Sequence, residues 1–165
     1  MSSADLRFTQ FTIHNSQFLS PQHTAILALG KMGHVNQPVL KVILKALKEE
    51  NSYTRKCAVQ ALGELATPEV VEPLIKALED KEPEIRGLAA DALGKNPATV
   101  MPLIHLLEDA YIGVAVKAAQ ALGKMEDKQA VEALMHYQQH GHPVLQKVIY
   151  GVSHLSTDFE LSCRS

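Results

Sequence analysis

Three histidines near the C-terminus form the densest group of side chains that could bind a metal ion. His136 and His140 are four residues apart, and His142 follows two residues later. Residues at i and i+4 share one face of an α-helix, and two imidazole rings placed in this way can chelate zinc. However, Gly141 and Pro143 mark a helix end here, and no acidic or thiol ligand is adjacent. We therefore interpret the group as a polar helix terminus and predict no metal site.

Other residue patterns that support catalysis are missing from the sequence. It has no glycine-rich phosphate loop, no Cys-x-x-Cys pair and no Gly-x-Ser-x-Gly turn. Glu64 and Asp91 are candidates for a carboxylate pair across neighbouring helices, although isolated acids of this kind are usually solvated surface residues. We expect no catalytic residue, no bound cofactor and no independent enzymatic activity; if the chain is enzymatic, it acts as a subunit of a larger enzyme.

Composition limits the kinds of partner. The chain of 165 residues carries 16 basic and 18 acidic residues, which gives a formal net charge of −2. Because these charges are scattered, neither nucleic acid nor an anionic membrane is expected to bind. No apolar run approaches the ~20 residues needed to cross a bilayer. Cys57 and Cys163 are not expected to bond, which fits a reducing cytoplasm. We predict a cytoplasmic protein whose partner is another protein.

The tripeptide Ala-Leu-Gly recurs four times and reveals an internal repeat. Its copies occupy residues 28–30, 61–63, 92–94 and 121–123. A period near 30 residues, with apolar residues at helical spacing on both sides, is typical of a helical hairpin that stacks on its neighbours to bury a core. The sequence therefore predicts an all-α fold, an α-solenoid (α-α superhelix) of about five hairpins. We assign this domain to residues 20–155, with an N-terminal cap or flexible segment at 1–19 and a tail at 156–165.

Three further marks recur in phase with the tripeptide. They are an arginine six residues before its alanine (Arg55, Arg86), an acidic residue six before the arginine (Glu49, Asp80) and a proline in the other helix (Pro73, Pro102). In these marks the chain resembles HEAT-like repeats, in particular the short variety found in phycobilisome lyases and their relatives. The third repeat departs from the pattern, with Ala115 in place of the arginine. The resemblance implies that the partner is a phycobiliprotein or a second HEAT-like subunit. Di-iron hydroxylases among these relatives use His-Glu dipeptides as ligands, and this chain has none.

The same marks predict local structure. Thr67-Pro68 and Asn96-Pro97 resemble an N-cap followed by proline at the first helical position. Pro73 and Pro102 lie later and are expected to kink their helices. The glycines near the ends of the first helices are expected to permit close packing or a left-handed residue; they are Gly63, Gly94 and Gly123.

Charged pairs and terminal aromatic residues complete the structural predictions. We expect Asp80 with Arg86, and Glu49 with Arg55, to tie loops and adjacent repeats together through charge-assisted hydrogen bonds. Phenylalanines occur before the repeats and after them, and we interpret them as caps for the apolar ends of the solenoid or as docking edges. They are Phe8, Phe11, Phe18 and Phe159.

A row of polar side chains gives the predicted binding surface. In the HEAT arrangement the helix ending in Ala-Leu-Gly lines the concave face, and side chains beside its buried stripe point into the groove. The predicted groove row is Lys56, Gln60, Glu64, Asp91, Lys95, Gln120, Lys124 and Tyr150, and His23 and Gly87 fall at equivalent positions. Its mixed charges and amides suit an extended protein segment or a helix bound through many polar contacts.

Three functions are consistent with this row. The first is a protein-protein interaction module, an adaptor or scaffold that binds its partner on the concave face. The second, implied by the resemblance, is a subunit or relative of a phycobilin lyase or another phycobilisome-handling protein. The third is nucleic-acid binding, which ranks last because it requires a basic groove.

Overall fold

The computed structural model describes residues 20–33, 36–94, 96–125 and 127–153. These residues form nine α-helices and no strand, which confirms the predicted all-α solenoid. The helices are α1 (Pro21–Lys31), α2 (Gln37–Ala46), α3 (Ser52–Leu65), α4 (Val71–Ala77), α5 (Pro83–Leu93), α6 (Val100–His105), α7 (Ile112–Leu122), α8 (Lys128–His140) and α9 (Pro143–Ser153). Four helical hairpins are therefore followed by α9. The predicted terminal segments, including the four phenylalanines and Cys163, lie outside the described residues.

The two sets of helices pack differently. The odd-numbered helices stack side by side in one continuous row, from α1 through α3, α5 and α7 to α9. The even-numbered helices pack against the odd-numbered ones and contact each other far less. The core lies between the two sets, where residues such as Ile43, Leu62, Leu93, Leu103 and Leu122 are almost completely buried.

The Ala-Leu-Gly tripeptide explains the close stacking of the odd-numbered helices. The first three of these glycines, Gly30, Gly63 and Gly94, each lie against the alanine of the next copy. An added Cβ would lie 2.6 Å from Ala61 Cα at Gly30, 3.0 Å from Ala92 Cβ at Gly63 and 2.9 Å from Ala121 Cβ at Gly94. Any larger residue would push the helices apart, so close packing is confirmed as the role of these glycines. They are not left-handed, because φ is −60° at Gly94 and −67° at Gly123.

Polar caps and prolines set the helix boundaries. The Asn51 side chain accepts from the first backbone amides of α3, and that helix ends at Ala66, whose φ of 46° is left-handed. Thr67 precedes Pro68 as predicted, but the helical segment starts with a 3-10 turn, Pro68–Val70, and the Thr67 hydroxyl makes no capping hydrogen bond. The Asn96 side chain accepts from the Ala98 amide at 3.0 Å before a similar turn, Pro97–Thr99.

The two later prolines follow these 3-10 turns. Pro73 is the third residue of α4 and Pro102 the third residue of α6. A proline in the first turn of an α-helix removes an N–H that has no intrahelical acceptor there, so the helix tolerates it. Each of these helical segments changes from 3-10 to α geometry before its proline, at Val71 and at Val100, and the kink stays a prediction.

Within the described part of the chain, the helices are all too short or too polar to cross a membrane.

Candidate protein-binding surface

The groove row follows the odd-numbered helices. Helix α3 carries Lys56, Gln60 and Glu64 at intervals of four residues, and α5, α7 and α9 carry the equivalent positions. The exposed members are Gln60, Glu64, Gln120, Lys124 and Tyr150, whereas Lys56 and Asp91 are only partly exposed. Lys95 lies outside the described residues.

Two members of the row are already engaged in ion pairs between repeats. Lys56 Nζ on α3 donates to Glu84 Oε1 on α5. Asp91 on α5 accepts from Lys117 Nζ on α7 at 2.5 Å. Both acids stand on α5 and both lysines on its neighbours, so the pairs join three consecutive helices. Repeat periodicity alone did not identify Glu84 and Lys117; the only available signal was a separation of 28 or 26 residues, close to one repeat.

Four of the five exposed members make no such pairs. Gln60, Glu64, Gln120 and Lys124 form no ion pair or side-chain hydrogen bond with any residue that the structure describes. Their donors and acceptors are therefore available to a partner without breaking a contact inside the protein. The row thus divides into partly buried residues that join repeats and exposed residues that face solvent.

The repeated arginines link three successive inter-repeat loops. Arg55 binds the Asp80 carboxylate through Nε at 2.7 Å and Nη2 at 3.0 Å, and its Nη1 donates to the carbonyl oxygens of Glu49 and Glu50. One repeat later, Arg86 binds Asp109 in the same manner at 2.6 and 2.7 Å. Its Nη1 donates to the carbonyl of Asp80 at 2.9 Å. We call these contacts the arginine clamps.

The predicted pairs of Glu49 with Arg55 and of Asp80 with Arg86 are therefore hydrogen-bonded, but not through the carboxylates of these two acids. The preceding acids, Glu49 for Arg55 and Asp80 for Arg86, offer backbone carbonyls rather than carboxylates. The carboxylate comes from the following loop, where it faces the planar guanidinium fork and accepts two parallel hydrogen bonds. The prediction that these charges tie loops together is confirmed, but the direction of the link is forward along the chain.

The clamps also shift the acidity of their members. Hydrogen bonds from Arg86 lower the pKa of Asp109 although burial opposes ionisation, and the Tyr111 amide adds to this effect. At Asp80 burial has the largest effect and raises the pKa, but bonds from Arg55 and the Glu82 amide outweigh it and lower the net value. The same bonds raise the pKa of both arginines. Both carboxylates are thus held in the charged form.

The first joint has Gln22 at the arginine position, and the polar link between α1 and α3 comes from the next residue, His23. His23 is buried, and its Nε2 lies 2.8 Å from the Thr54 hydroxyl on α3. Because the Ser20 amide donates to Nδ1 at 3.3 Å, Nε2 carries the proton and donates to Thr54 in the neutral ring. The groove position predicted for His23 is therefore wrong, as it is for Gly87, which is also buried. Both lie close to a neighbouring helix, where the stacked row leaves no solvent.

The C-terminal histidines remain on the surface. His136 and His140 on α8 are exposed, and their ring centroids lie 5.1 Å apart. His142 accepts the Val144 amide on Nδ1 at 3.2 Å, close to the start of α9. In the described ranges, no group of three or more histidine, cysteine or acidic side chains is arranged to hold a metal ion.

Comparison with protein families agrees with this architecture. A family model described as HEAT repeats matches residues 13–94 and again residues 71–151. These matches cover most of the chain, and the chain therefore belongs to the HEAT repeat proteins. No curated protein sequence matches it significantly.

Proposed function

We propose that this protein is an adaptor or scaffold that binds another protein along the groove row. The observation that carries the proposal is the continuous stack of odd-numbered helices, which repeats equivalent positions from helix to helix. These positions are exposed at Gln60, Gln120 and Tyr150 and partly exposed at Asp91. HEAT repeats commonly mediate protein-protein interaction, and a surface made of equivalent positions suits a long partner segment. The fold supports this function by analogy, since the same fold can carry different functions.

The packing supports placing this row on the concave side. Glycine-to-alanine contacts bring the odd-numbered helices close together, whereas the even-numbered helices contact each other little. A stack whose elements are closer on one side curves toward that side. The groove row would then line the inner surface, where one partner can touch several repeats at once.

The exposed side chains suggest how the partner is held. Gln60 and Gln120 each offer an amide donor and acceptor, while Glu64 and Lys124 offer opposite charges. Such contacts bind polar protein surfaces through many modest interactions. A row of mixed sign does not favour a polyanion, so we do not propose a nucleic-acid partner.

The test is a set of substitutions at exposed groove positions. The variant Gln60→Ala/Glu64→Lys/Lys124→Glu should weaken the complex with the native partner by at least ~10-fold, or about 1.4 kcal/mol. Each position is exposed, so stability should change by only about 0.5 kcal/mol per site. Lys56 and Asp91 are left intact, because their substitution would also break the ion pairs with Glu84 and Lys117.

A matched triple on the even-numbered helices is the control. Lys45, Lys76 and Glu132 are exposed on α2, α4 and α8. The ion pairs of Lys76 with Glu72 and of Glu132 with Lys128 are exposed and lie within one helix, so charge reversal breaks no contact between repeats and should leave the affinity unchanged. If the control variant lost binding while the groove variant kept it, the binding face would be the opposite one. Titration calorimetry with the purified partner measures both, after affinity capture from the native cell has identified it.

A second candidate is a role in handling phycobiliproteins. It is supported by the in-phase arginine, acid and proline marks, and Ala115 departs from them. In this case the partner is a phycobiliprotein or a second HEAT-like subunit, and the chain need not supply a catalytic group. Binding of a purified phycobiliprotein that the groove variant abolishes would favour this candidate; binding only of unrelated proteins would favour the general adaptor. Either partner would be met in the cytoplasm, a compartment that suits the reduced, buried Cys57.

A further inference from the structure

We propose that His136 and His140 form an exchangeable, two-coordinate surface site for borderline divalent transition metals such as Cu²⁺, Ni²⁺ and Zn²⁺. The site would take up free metal ions, and it is distinct from a structural metal centre, for which the described residues offer no ligand set. It is also distinct from the groove row and does not depend on the proposed function.

The geometry of the two rings fits chelation. Their centroids are 5.1 Å apart and their planes meet at 46°. Two imidazole nitrogens that each lie about 2.1 Å from one tetrahedral ion place their ring centroids roughly 5 Å apart. The spacing is therefore already suitable, and small side-chain rotations suffice to bring one nitrogen of each ring onto the ion.

Neither histidine ring has to break a strong contact in order to bind a metal ion. Both side chains are exposed, and neither forms a hydrogen bond to another described residue. The one additional ring contact is an edge-to-face approach of His136 to Tyr137, with centroids 5.4 Å apart. The helix already holds both histidines on one face, so little conformational entropy is lost when a metal binds.

Electrostatics favours a cation at this place. The pair occupies the last two turns of α8, a helix of 13 residues. The C-terminal end of a helix carries partial negative charge from its unpaired carbonyl groups, which stabilises a nearby positive ion. This electrostatic attraction is independent of the ring geometry, and it also favours metal binding.

The ligand chemistry selects the class of metal. Neutral imidazole suits copper, nickel and zinc, whereas magnesium and calcium prefer oxygen ligands. His142 commits one ring nitrogen to the Val144 amide and lies beyond the helix end, so we count two protein ligands. Water fills the remaining positions, which makes the site weaker than a structural zinc site and exchangeable.

Calorimetric titration of the chelator-treated full chain with CuCl₂, ZnCl₂ and MgCl₂ tests the proposal. We expect one Cu²⁺ site per chain, weaker binding of Zn²⁺ and no binding of Mg²⁺, following the general order of divalent metals. His136→Ala and His140→Ala should each weaken Cu²⁺ binding by roughly 10-fold or more. The control is His105→Ala, because His105 is exposed on α6 and outside the pair; it should bind as the wild type does.

Two results would overturn the proposal. One is that both histidine variants bind Cu²⁺ as tightly as the wild type, and the other is that the wild type binds Mg²⁺ as well as Cu²⁺. Since all three substituted positions are exposed, helical circular dichroism should confirm that the variants fold. Electron paramagnetic resonance of the Cu²⁺ complex should show coupling to two nitrogens in the wild type and to one in either variant.

Discussion

The joints between repeats differ along the solenoid. From the loop before α3 to the loop before α7, each arginine clamp ties a guanidinium to two backbone carbonyls and to a carboxylate of the next loop. At the following joint the arginine position is Ala115, which is buried. There the polar link is the Tyr137 hydroxyl, which donates to Glu108 at 2.7 Å. The repeats can therefore stack without the clamp, so the clamp adds to the joint rather than creating the fold.

The largest expected effect on stability is that of a buried charge, and it should differ between the centre of the array and its C-terminal end. Leu93 and Ile149 are both 1% exposed, but α5 has a stacked neighbour on each side within the row, whereas α9, among the described helices, packs mainly against α7 and α8. Leu93→Asp should unfold the whole array, because a buried unpaired charge costs several kcal/mol against a total stability of about 5–15 kcal/mol. Ile149→Asp should unfold only the C-terminal repeat.

Circular dichroism measures the helix content of both variants. Leu93→Asp should lose most of the helical signal at room temperature, and Ile149→Asp should keep most of it. A cooperative melt of Leu93→Asp within a few degrees of the wild type would show that the repeat packing is wrong.

The next effect measures one clamp directly. Arg86→Ala should lower the free energy of unfolding by about 2–4 kcal/mol, because it leaves the mostly buried Asp109 carboxylate without its partner. Arg86→Lys should restore only part of this, since an ammonium group cannot form the two parallel bonds. Urea unfolding gives the values. Lys117→Ala is the comparison, and its more exposed ion pair should contribute less than about 1 kcal/mol.

Acid should weaken the clamped joints. The folded pKa values of Asp80 and Asp109 lie below their ordinary values, so the clamps stabilise the fold at neutral pH. This contribution should be lost as pH falls below about 4 and through the lowered folded values. Melting temperatures between neutral and strongly acidic pH test it. Asp109→Asn should have a lower melting temperature than the wild type at neutral pH, and its melting temperature should fall less on acidification. Equal acid dependence of the two proteins would show that the clamp is not the cause.

The smallest effect concerns the joint without a clamp. Burial and the bond to Glu108 raise the pKa of Tyr137 to about 12. Since the folded value exceeds the ordinary one of about 10, the stabilising contribution is present below pH 10 and is lost as pH rises through about 12. Tyr137→Phe should remove the last step of the ultraviolet tyrosine titration and cost about 0.5–1.5 kcal/mol. If the step lost in Tyr137→Phe lay near the ordinary value of about 10, the raised pKa of Tyr137 would be contradicted.

Some features of the fold could be predicted from the sequence alone. The repeat period, the helical structure and the glycine contacts follow from a pattern that recurs in phase, because every copy packs in the same way against its neighbours. The partners of Arg55 and Lys56 could not be predicted in this way. Asp80 and Glu84 lie 25 and 28 residues away, and their selection depends on the path of a loop and on side-chain rotamers. Repeat spacing indicated the preceding acids, Glu49 and Asp80, which bond the arginines through their backbone carbonyls, but it did not indicate the carboxylate partners.

The candidate binding surface shows the same limit. Helical periodicity predicts which residues lie beside the buried stripe, and most of the predicted row is exposed. It does not distinguish Lys56 and Asp91, which join repeats, from Gln60 and Lys124, which face solvent. His23 illustrates a further difficulty, because its burial depends on Thr54, which lies 31 residues later.

The contact between each glycine and the next alanine has a consequence for how such a chain can change in length. One tripeptide carries both surfaces of the joint: its glycine receives the following repeat and its alanine fits the preceding one. A duplicated repeat inserted in frame would therefore match its neighbours on both sides without any compensating substitution. Because all these joints use the same pair of small residues, the contacts do not specify which repeat packs next to a given repeat. Gene duplication can therefore lengthen the array. The arginine clamps distinguish one joint from another, because Ala115 stands in place of the arginine at one of them.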